Sequence, residues 1–470
     1  AIGANALQVY NPSTNEDGYN VAIGLNSMIS TTTGKQNTAV GGLSLGANTT
    51  GDGNTAIGYI ALEANTTGAT NTAVGQEALQ KNTTASNNSA VGYQALEENT
   101  TGASNTALGG LALAASTTGD RNVAVGYATL DANTTASDNV AVGSAALGAN
   151  TTGDRNVAVG NYCLDANTVG DRNVGIGYGA LTAYNPSTNE DSYNVGVGYA
   201  ALYTNTTGKY NTAVGGLALD ANTTADYNTA LGYNSLSTNS TGASNTAVGF
   251  GTLQNATTAA NNVAIGGAAM QSNTTGAHNT AVGTYALDAN TTADQNTSVG
   301  YGSLTDCTTG ANNTAMGDRA GENLTTGSSN TFIGHLAGGV GTVTGSDNTT
   351  LGSSAGKNLS SGSNNLLLGH DAGLSGSPGG PIDTESNEIV LGDENITAAH
   401  VQVDWTVASD KRDKTDVEPM PMGLEFVNKL EPVTYKWDKR SNYVEKGEDF
   451  NHIVPDGSHK EDWLDVGFLA

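Results

Sequence analysis

The sequence predicts an all-β protein: a parallel β-solenoid, or β-roll, of 17-residue coils followed by a separate segment of ordinary composition. Three observations predict it. Asparagine returns every seventeen residues from Asn20 to Asn173 and, after one step of 21, from Asn194 to Asn330, then at Asn348 and Asn365. A glycine follows each of these asparagines by four residues, from Gly24 to Gly369, and the residue before it is aliphatic or methionine. All three tryptophans (Trp405, Trp437, Trp463), nine of the 17 Lys and Arg and seventeen of the 44 Asp and Glu lie past residue 392. The chain changes character there.

The unit reads Asn-Thr-Ala-Val-Gly-x-x-Ala-Leu-x-x-Asn-Thr-Thr-Gly-x-x, as in residues 54–70 with Ile57 in the valine place. Seventeen residues are too few for a helix pair with two turns, and the Asn, Gly and Thr clusters punctuate two short strands of four or five residues. Each unit is one coil, and about 22 coils fill residues 1–392. Stacked at about 4.8 Å, they make a rod on the order of 100 Å long. Alternate side chains of a strand face opposite ways, so Ala and Val both being apolar implies cover on both faces. The expected arrangement puts the valine (Val40, Val74) against the leucine four residues past the glycine (Leu45, Leu79) inside the coil. The small alanine then faces out, toward two other copies around a threefold axis. The asparagines stack as an amide ladder, and the glycine supplies a positive φ at the corner. From residue 313 the second segment reads Ala-Gly (Ala320-Gly321, Ala337-Gly338, Ala355-Gly356, Ala372-Gly373), and the rod is expected to narrow or turn.

Composition excludes several classes. Residues 1–392 hold 8 basic and 27 acidic side chains, a net of −19, without the clustered Lys and Arg that phosphate contacts need. No nucleic acid is expected. No run approaches the roughly 18 apolar residues of a membrane span, so no membrane insertion is expected. The N-terminus falls inside a repeat, and the natural chain is expected to extend upstream of Ala1. Cys163 and Cys307 lie about eight repeats apart, too far to bridge, and read as buried small residues. No Gly-rich phosphate loop, metal-spaced His/Cys cluster or carboxylate pair with a cleft stands out, so no cofactor or metal is expected.

Two coils carry a four-residue insertion with the same sequence, Tyr10 to Asp17 and Tyr184 to Asp191. Such loops project from a rod, and Tyr10, Pro12, Tyr184 and Pro186 are the candidate partner contacts, against a plain spacer copied with its block. The Asn-Thr-Thr strings satisfy the N-glycosylation pattern but read as turns. Adjacent threonines point to opposite sides, which argues against an ice-binding face. His335 and His370 each follow a corner glycine in one column. They read as solvent-facing, the alternative being a metal site gathered around a threefold axis.

Where the repeats end stands Ser409-Asp410-Lys411-Arg412-Asp413-Lys414. A hydroxyl five positions before a lysine suits a serine-lysine dyad, since a lysine held neutral can take the serine proton; the alternative is a charged turn. Downstream come Val417, Gly423-Leu424-Glu425-Phe426-Val427, Lys429-Leu430-Glu431-Pro432-Val433-Thr434-Tyr435-Lys436-Trp437 and Gly467-Phe468-Leu469-Ala470. This string, over roughly residues 394–470, resembles the intramolecular chaperone domain of the endosialidase type, found at the C-termini of phage tail fibres, tailspikes and neck appendages. The resemblance implies a small α+β domain, present here in its first part, that trimerises the chain, assists folding of the β-structure ahead of it and cuts itself off before the serine. The cut would fall between Ala408 and Ser409. Ser409 would be the nucleophile and Lys414 its base, with Asp410 and Arg412 in support. The family's domain continues past Gly-Phe-Leu-Ala into a helical portion that this sequence lacks. The repeats resemble, in fold only, the left-handed β-roll heads of trimeric autotransporter adhesins.

The expected organisation is a shaft over 1–392 with variant coils from 313, a connector over 393–408, and the N-terminal part of the chaperone over 409–470. The expected function is a homotrimeric virion fibre or appendage for host-surface attachment, extracellular, matured by one autoproteolytic cut and otherwise no enzyme. Its partners would be two further copies of itself, other virion proteins and a host glycan or protein receptor. A bacterial trimeric surface adhesin is the alternative, and a glycan-degrading tailspike or an ice-binding solenoid fits less well.

Overall fold

The computed structural model describes residues 1–11, 17–400, 432–435, 458 and 465–468. The chain divides into two compact units, 1–397 and 398–470. The first is a solenoid of 22 parallel strands, β1 (Val21–Ile23) through β22 (Ile389–Leu391), three residues each, with no helix among the described residues. Each strand pairs with the next, coil on coil, in unbroken register: Val21 opposite Thr38, Ala22 opposite Ala39, Ile23 opposite Val40, and so on to Leu368 opposite Leu391.

Each coil holds one strand where the repeat suggested two. The leucine segment is a run of overlapping turns with positive φ at alternate residues, 60° at Leu43 and 51° at Leu45, 52° at Ile60 and 51° at Leu62. A left-handed leucine costs about 1–2 kcal/mol. Burial of its side chain, worth about 1.5–3 kcal/mol, offsets that, and so do bonds between coils. Leu45 N–H donates to Ala61 O at 3.0 Å and Ala47 N–H to Glu63 O at 2.8 Å. Corner glycines are required in earnest: Gly41 has φ 139°, and a Cβ there would overlap the carbonyl of Gly58 in the next coil.

The inside of the coil is the reverse of the expected arrangement. The middle residue of every strand is buried, and the first and third are half-buried or exposed. Ala39, Ala56 and Ala73 are fully buried with Leu45, Leu62 and Leu79 in one continuous core, whereas Val40 and Val74 face away from it. A three-residue strand has only one inward position, and a coil this tight has room there for a methyl group opposite leucine.

The asparagine ladder forms as expected. Asn37 N–H donates to Asn20 Oδ1 at 2.9 Å and Asn54 N–H to Asn37 Oδ1 at 2.8 Å, while Asn37 Nδ2 reaches Gly51 O at 2.9 Å. A second ladder runs through the Asn of Asn-Thr-Thr, with Asn65 Nδ2 to Asn48 Oδ1 at 2.9 Å and Asn82 Nδ2 to Asn65 Oδ1 at 2.8 Å. Beside it Thr49 Oγ1 donates to Thr66 O at 3.0 Å. Most buried amides are thereby satisfied within their coil and across to the next, the condition for burying so many of them; Asn99 and Asn239 each keep an Oδ1 without a partner among the described residues.

The strand ladder runs through the change at residue 313 unbroken. The change is in which side of the core carries bulk. Phe332, Thr350 and Leu367 stand where alanine stood, and Gly338, Gly356 and Gly373 where leucine stood. A Cβ on Gly321 would come within 2.6 Å of the Phe332 ring.

In the second unit β23 (Pro432–Tyr435) pairs antiparallel with β24 (Asp465–Phe468), Pro432 opposite Phe468 and Tyr435 opposite Asp465.

Candidate functional sites

The sequence places the chemistry at Ser409, Asp410, Arg412 and Lys414, and these residues, with Ala408, lie outside the described residues. The β23 and β24 segments belong to two of the stretches that carry the resemblance, Pro432-Val433-Thr434-Tyr435 and Gly467-Phe468.

The inserted loop is anchored where projection was expected. Tyr184 takes the place of an asparagine in the second ladder and is fully buried in the core; burial pushes its phenol up to about 12. Pro186 is buried too. Gly170 makes their room, since a Cβ there would meet Tyr184 Cε1 at 2.8 Å and Pro186 Cγ at 3.0 Å. Both side chains are buried within their own chain, where outward contacts were expected. Tyr10 is half-buried, and Pro12 lies outside the described residues. The loop presents Asn185, Ser187, Thr188 and Asn189 to solvent. Its base is held by Lys209 to Glu190 at 2.6 Å, by an ion pair of Arg172 with Asp191, and by Arg172 over the Tyr193 ring at 5.6 Å.

The largest feature is the strand face. Across all 22 strands the two outward positions carry Thr, Ser, Val, Ile, Leu or Met and never a charge. Ile57, Leu108, Leu231, Met316 and Leu351 are each more than 40 % exposed.

Both cysteines are buried and free, their thiols pushed by burial to about 12 for Cys163 and about 11 for Cys307. That removes them as nucleophiles. His335 Nε2 lies 3.5 Å from Asp318. His370 Nδ1 lies 3.3 Å from Asp371 Oδ2 and 3.5 Å from Asp393 Oδ2. The two aspartates beside His370 were not singled out from the sequence, although Asp393 follows Gly392 as His370 follows Gly369, which puts both in one column.

Residues 409–470 match the family described as the chaperone of endosialidase. No curated protein and no solved structure matches the chain. A chaperone segment of this family, behind a parallel solenoid of about twenty 17-residue coils, fits a phage fibre or tailspike-like protein matured by a C-terminal chaperone that is known for self-cleavage. Such proteins are phage-associated and extracellular, and no helix among the described residues is long and apolar enough to cross a membrane.

Proposed function

We propose that the protein is the homotrimeric shaft of a virion fibre or appendage, used for host-surface attachment and matured by one self-cleavage. The observation that carries this reading is the uncharged strand face leading to the chaperone segment. At about 4.8 Å per coil and about 7 Å between its two columns, that face covers on the order of 700 Å² over 22 strands. Its third-position column is aliphatic or methionine in every strand, and its first-position column mixes threonine and serine with aliphatic residues; an exposed aliphatic column of this length marks an interaction surface. Each chain therefore packs its β1–β22 face against two further copies. The outward valine column takes the role that the sequence reading gave to alanine. Other virion proteins at one end and a host glycan or protein receptor are the remaining partners.

In the maturation step Ser409 Oγ attacks the carbonyl carbon of Ala408 while Lys414 accepts its proton. The proton passes to the Ser409 nitrogen as the peptide bond breaks. The resulting ester is hydrolysed by water, leaving Ala408 with a carboxylate and Ser409 with its hydroxyl restored and a free amine. Asp410 and Arg412 support the dyad. The test is intact mass of the chain with its complete natural C-terminus. The expected result is a break between Ala408 and Ser409, abolished in Ser409→Ala and in Lys414→Ala. An uncut parent that still assembles would reduce the segment to a folding or capping domain.

A further inference from the structure

Among 44 acidic residues, pairs of carboxylates are common and carry no meaning alone. One group differs. His370, Asp371 and Asp393 bring an imidazole nitrogen and two carboxylate oxygens within 4.8 Å of one another, and among the described residues no other three His, Cys, Asp or Glu side chains do so. They come from two coils. His370 and Asp371 follow β21 (Leu366–Leu368), and Asp393 follows β22, at the end of a 23-residue step that replaces the usual 17.

The geometry suits a metal. Two ligand atoms at about 2.1 Å from a tetrahedral Zn²⁺ stand about 3.4 Å apart, and His370 Nδ1 stands 3.3 Å and 3.5 Å from the two aspartate oxygens. The Asp393 carboxylate is fixed in place by Asn395, whose backbone N–H donates to Oδ1 at 3.0 Å and whose side-chain Nδ2 donates to Oδ2 at 3.0 Å. Such outer hydrogen bonds orient metal-binding carboxylates. The turn holding Asp371 is pinned by Ser377, whose Oγ accepts from Gly373 N–H at 2.9 Å and donates to Asp371 O at 3.0 Å. A cavity of about 150 Å³ opens beside the cluster, lined by Asp371, Asp393, Glu394 and Asn395 and by no lysine or arginine. It leaves room for a further carboxylate or water on the ion. The mixed nitrogen and oxygen donors favour a transition metal over Mg²⁺ or Ca²⁺, which take oxygen alone.

We propose that His370, Asp371 and Asp393 bind a divalent transition-metal ion of the zinc class, which clamps the coil of β22 to the coil of β21. The clamp has a physical purpose. Among the described residues β22 has a strand on one side only, and the long excursion before it gives up the regular asparagine, with Glu388 N–H on Asn365 Oδ1 at 2.9 Å as the last rung.

The experiment is calorimetric titration of the untagged, metal-free full chain with Zn²⁺ in excess Mg²⁺, which screens the acidic surface, alongside His370→Ala, Asp393→Asn and the control His335→Ala. One site per chain is expected, weakened about tenfold or more in the first two variants and unchanged in the control. Hydrogen exchange supplies a second reading: Zn²⁺ should slow the amides of Gly392 and Asn395 in the parent and not in His370→Ala. Uptake that persists undiminished in both ligand variants, or no saturable uptake by the folded parent, overturns the site.

Discussion

The coils up to Asn312 and the coils from Asn330 fill the same cross-section in opposite ways. In the first set alanine on the strand faces leucine on the turn, both fully buried. In the second, Phe332 or Leu367 on the strand faces a glycine. Cys163 and Gly175 make the same exchange on a smaller scale within the regular coils, since a Cβ on Gly175 would overlap Cys163 Sγ. What the solenoid holds constant is the volume of the coil, and the identity of the residue at each column is free to change as long as its partner across the core compensates.

The sharpest way to break that comparison is to convert one variant coil to the regular pattern. Phe332→Ala alone should cost about 3–5 kcal/mol through the cavity it leaves, and Gly338→Leu alone about 1–3 kcal/mol through crowding against the ring. The double variant rebuilds an alanine–leucine coil and should cost much less than the sum. A double-mutant cycle from denaturant unfolding measures the coupling. Additive costs would mean that the two columns do not share one space.

A smaller effect separates the two regions electrostatically. Aspartates follow the buried leucine only in regular coils, at Asp131, Asp165, Asp220 and Asp288, and burial raises the pKa of each. Asp220 and Asp288 each keep one buried oxygen without a hydrogen-bond partner among the described residues. A carboxyl with a raised pKa holds its proton to higher pH in the folded chain than in the unfolded one. The contribution of these four carboxyls to stability therefore falls as pH rises through the window above 3.8 and is greatest below it. Asp220→Asn should raise stability at pH 7 by under about 1 kcal/mol, given its partial exposure, and the gain should shrink toward pH 4. Thermal midpoints across pH check it; a variant equal to its parent at every pH would remove the penalty from the account.

Much of the shaft is legible in the sequence. The period, the corner glycines and the first asparagine ladder follow from spacing and from the backbone geometry that Gly41 and its equivalents demand. The inside and outside of the strand do not. Ala39 and Val40 are both apolar, so alternation carries no phase, and only the tightness of the coil decides that the smaller one turns inward. Nor does the sequence announce that Leu43 and Leu45 adopt left-handed φ, because leucine ordinarily avoids it and coil-to-coil bonding overrides that preference. Tyr184 looked like a loop residue for want of a signal that position 184 belongs to the buried ladder of Asn167. The chaperone residues Ser409 and Lys414 were legible from their motif, and their geometry lies outside the described residues. Asp393 was hidden by the 23-residue step, which conceals that it stacks on His370.

The strand face is the centre of the account, and its most direct test is molar mass by light scattering of the full chain beside two triple variants. The parent should weigh three times 47.3 kDa, or three times the shaft if it has been cut. Val125→Lys/Val142→Lys/Val159→Lys places charge on outward positions that leave the coil core untouched and should abolish the trimer. Thr101→Lys/Thr118→Lys/Thr135→Lys, on the exposed turns of three successive coils over residues 88–138, should keep it. A monomeric parent, or a trimer indifferent to lysines on the strand face, would contradict the account.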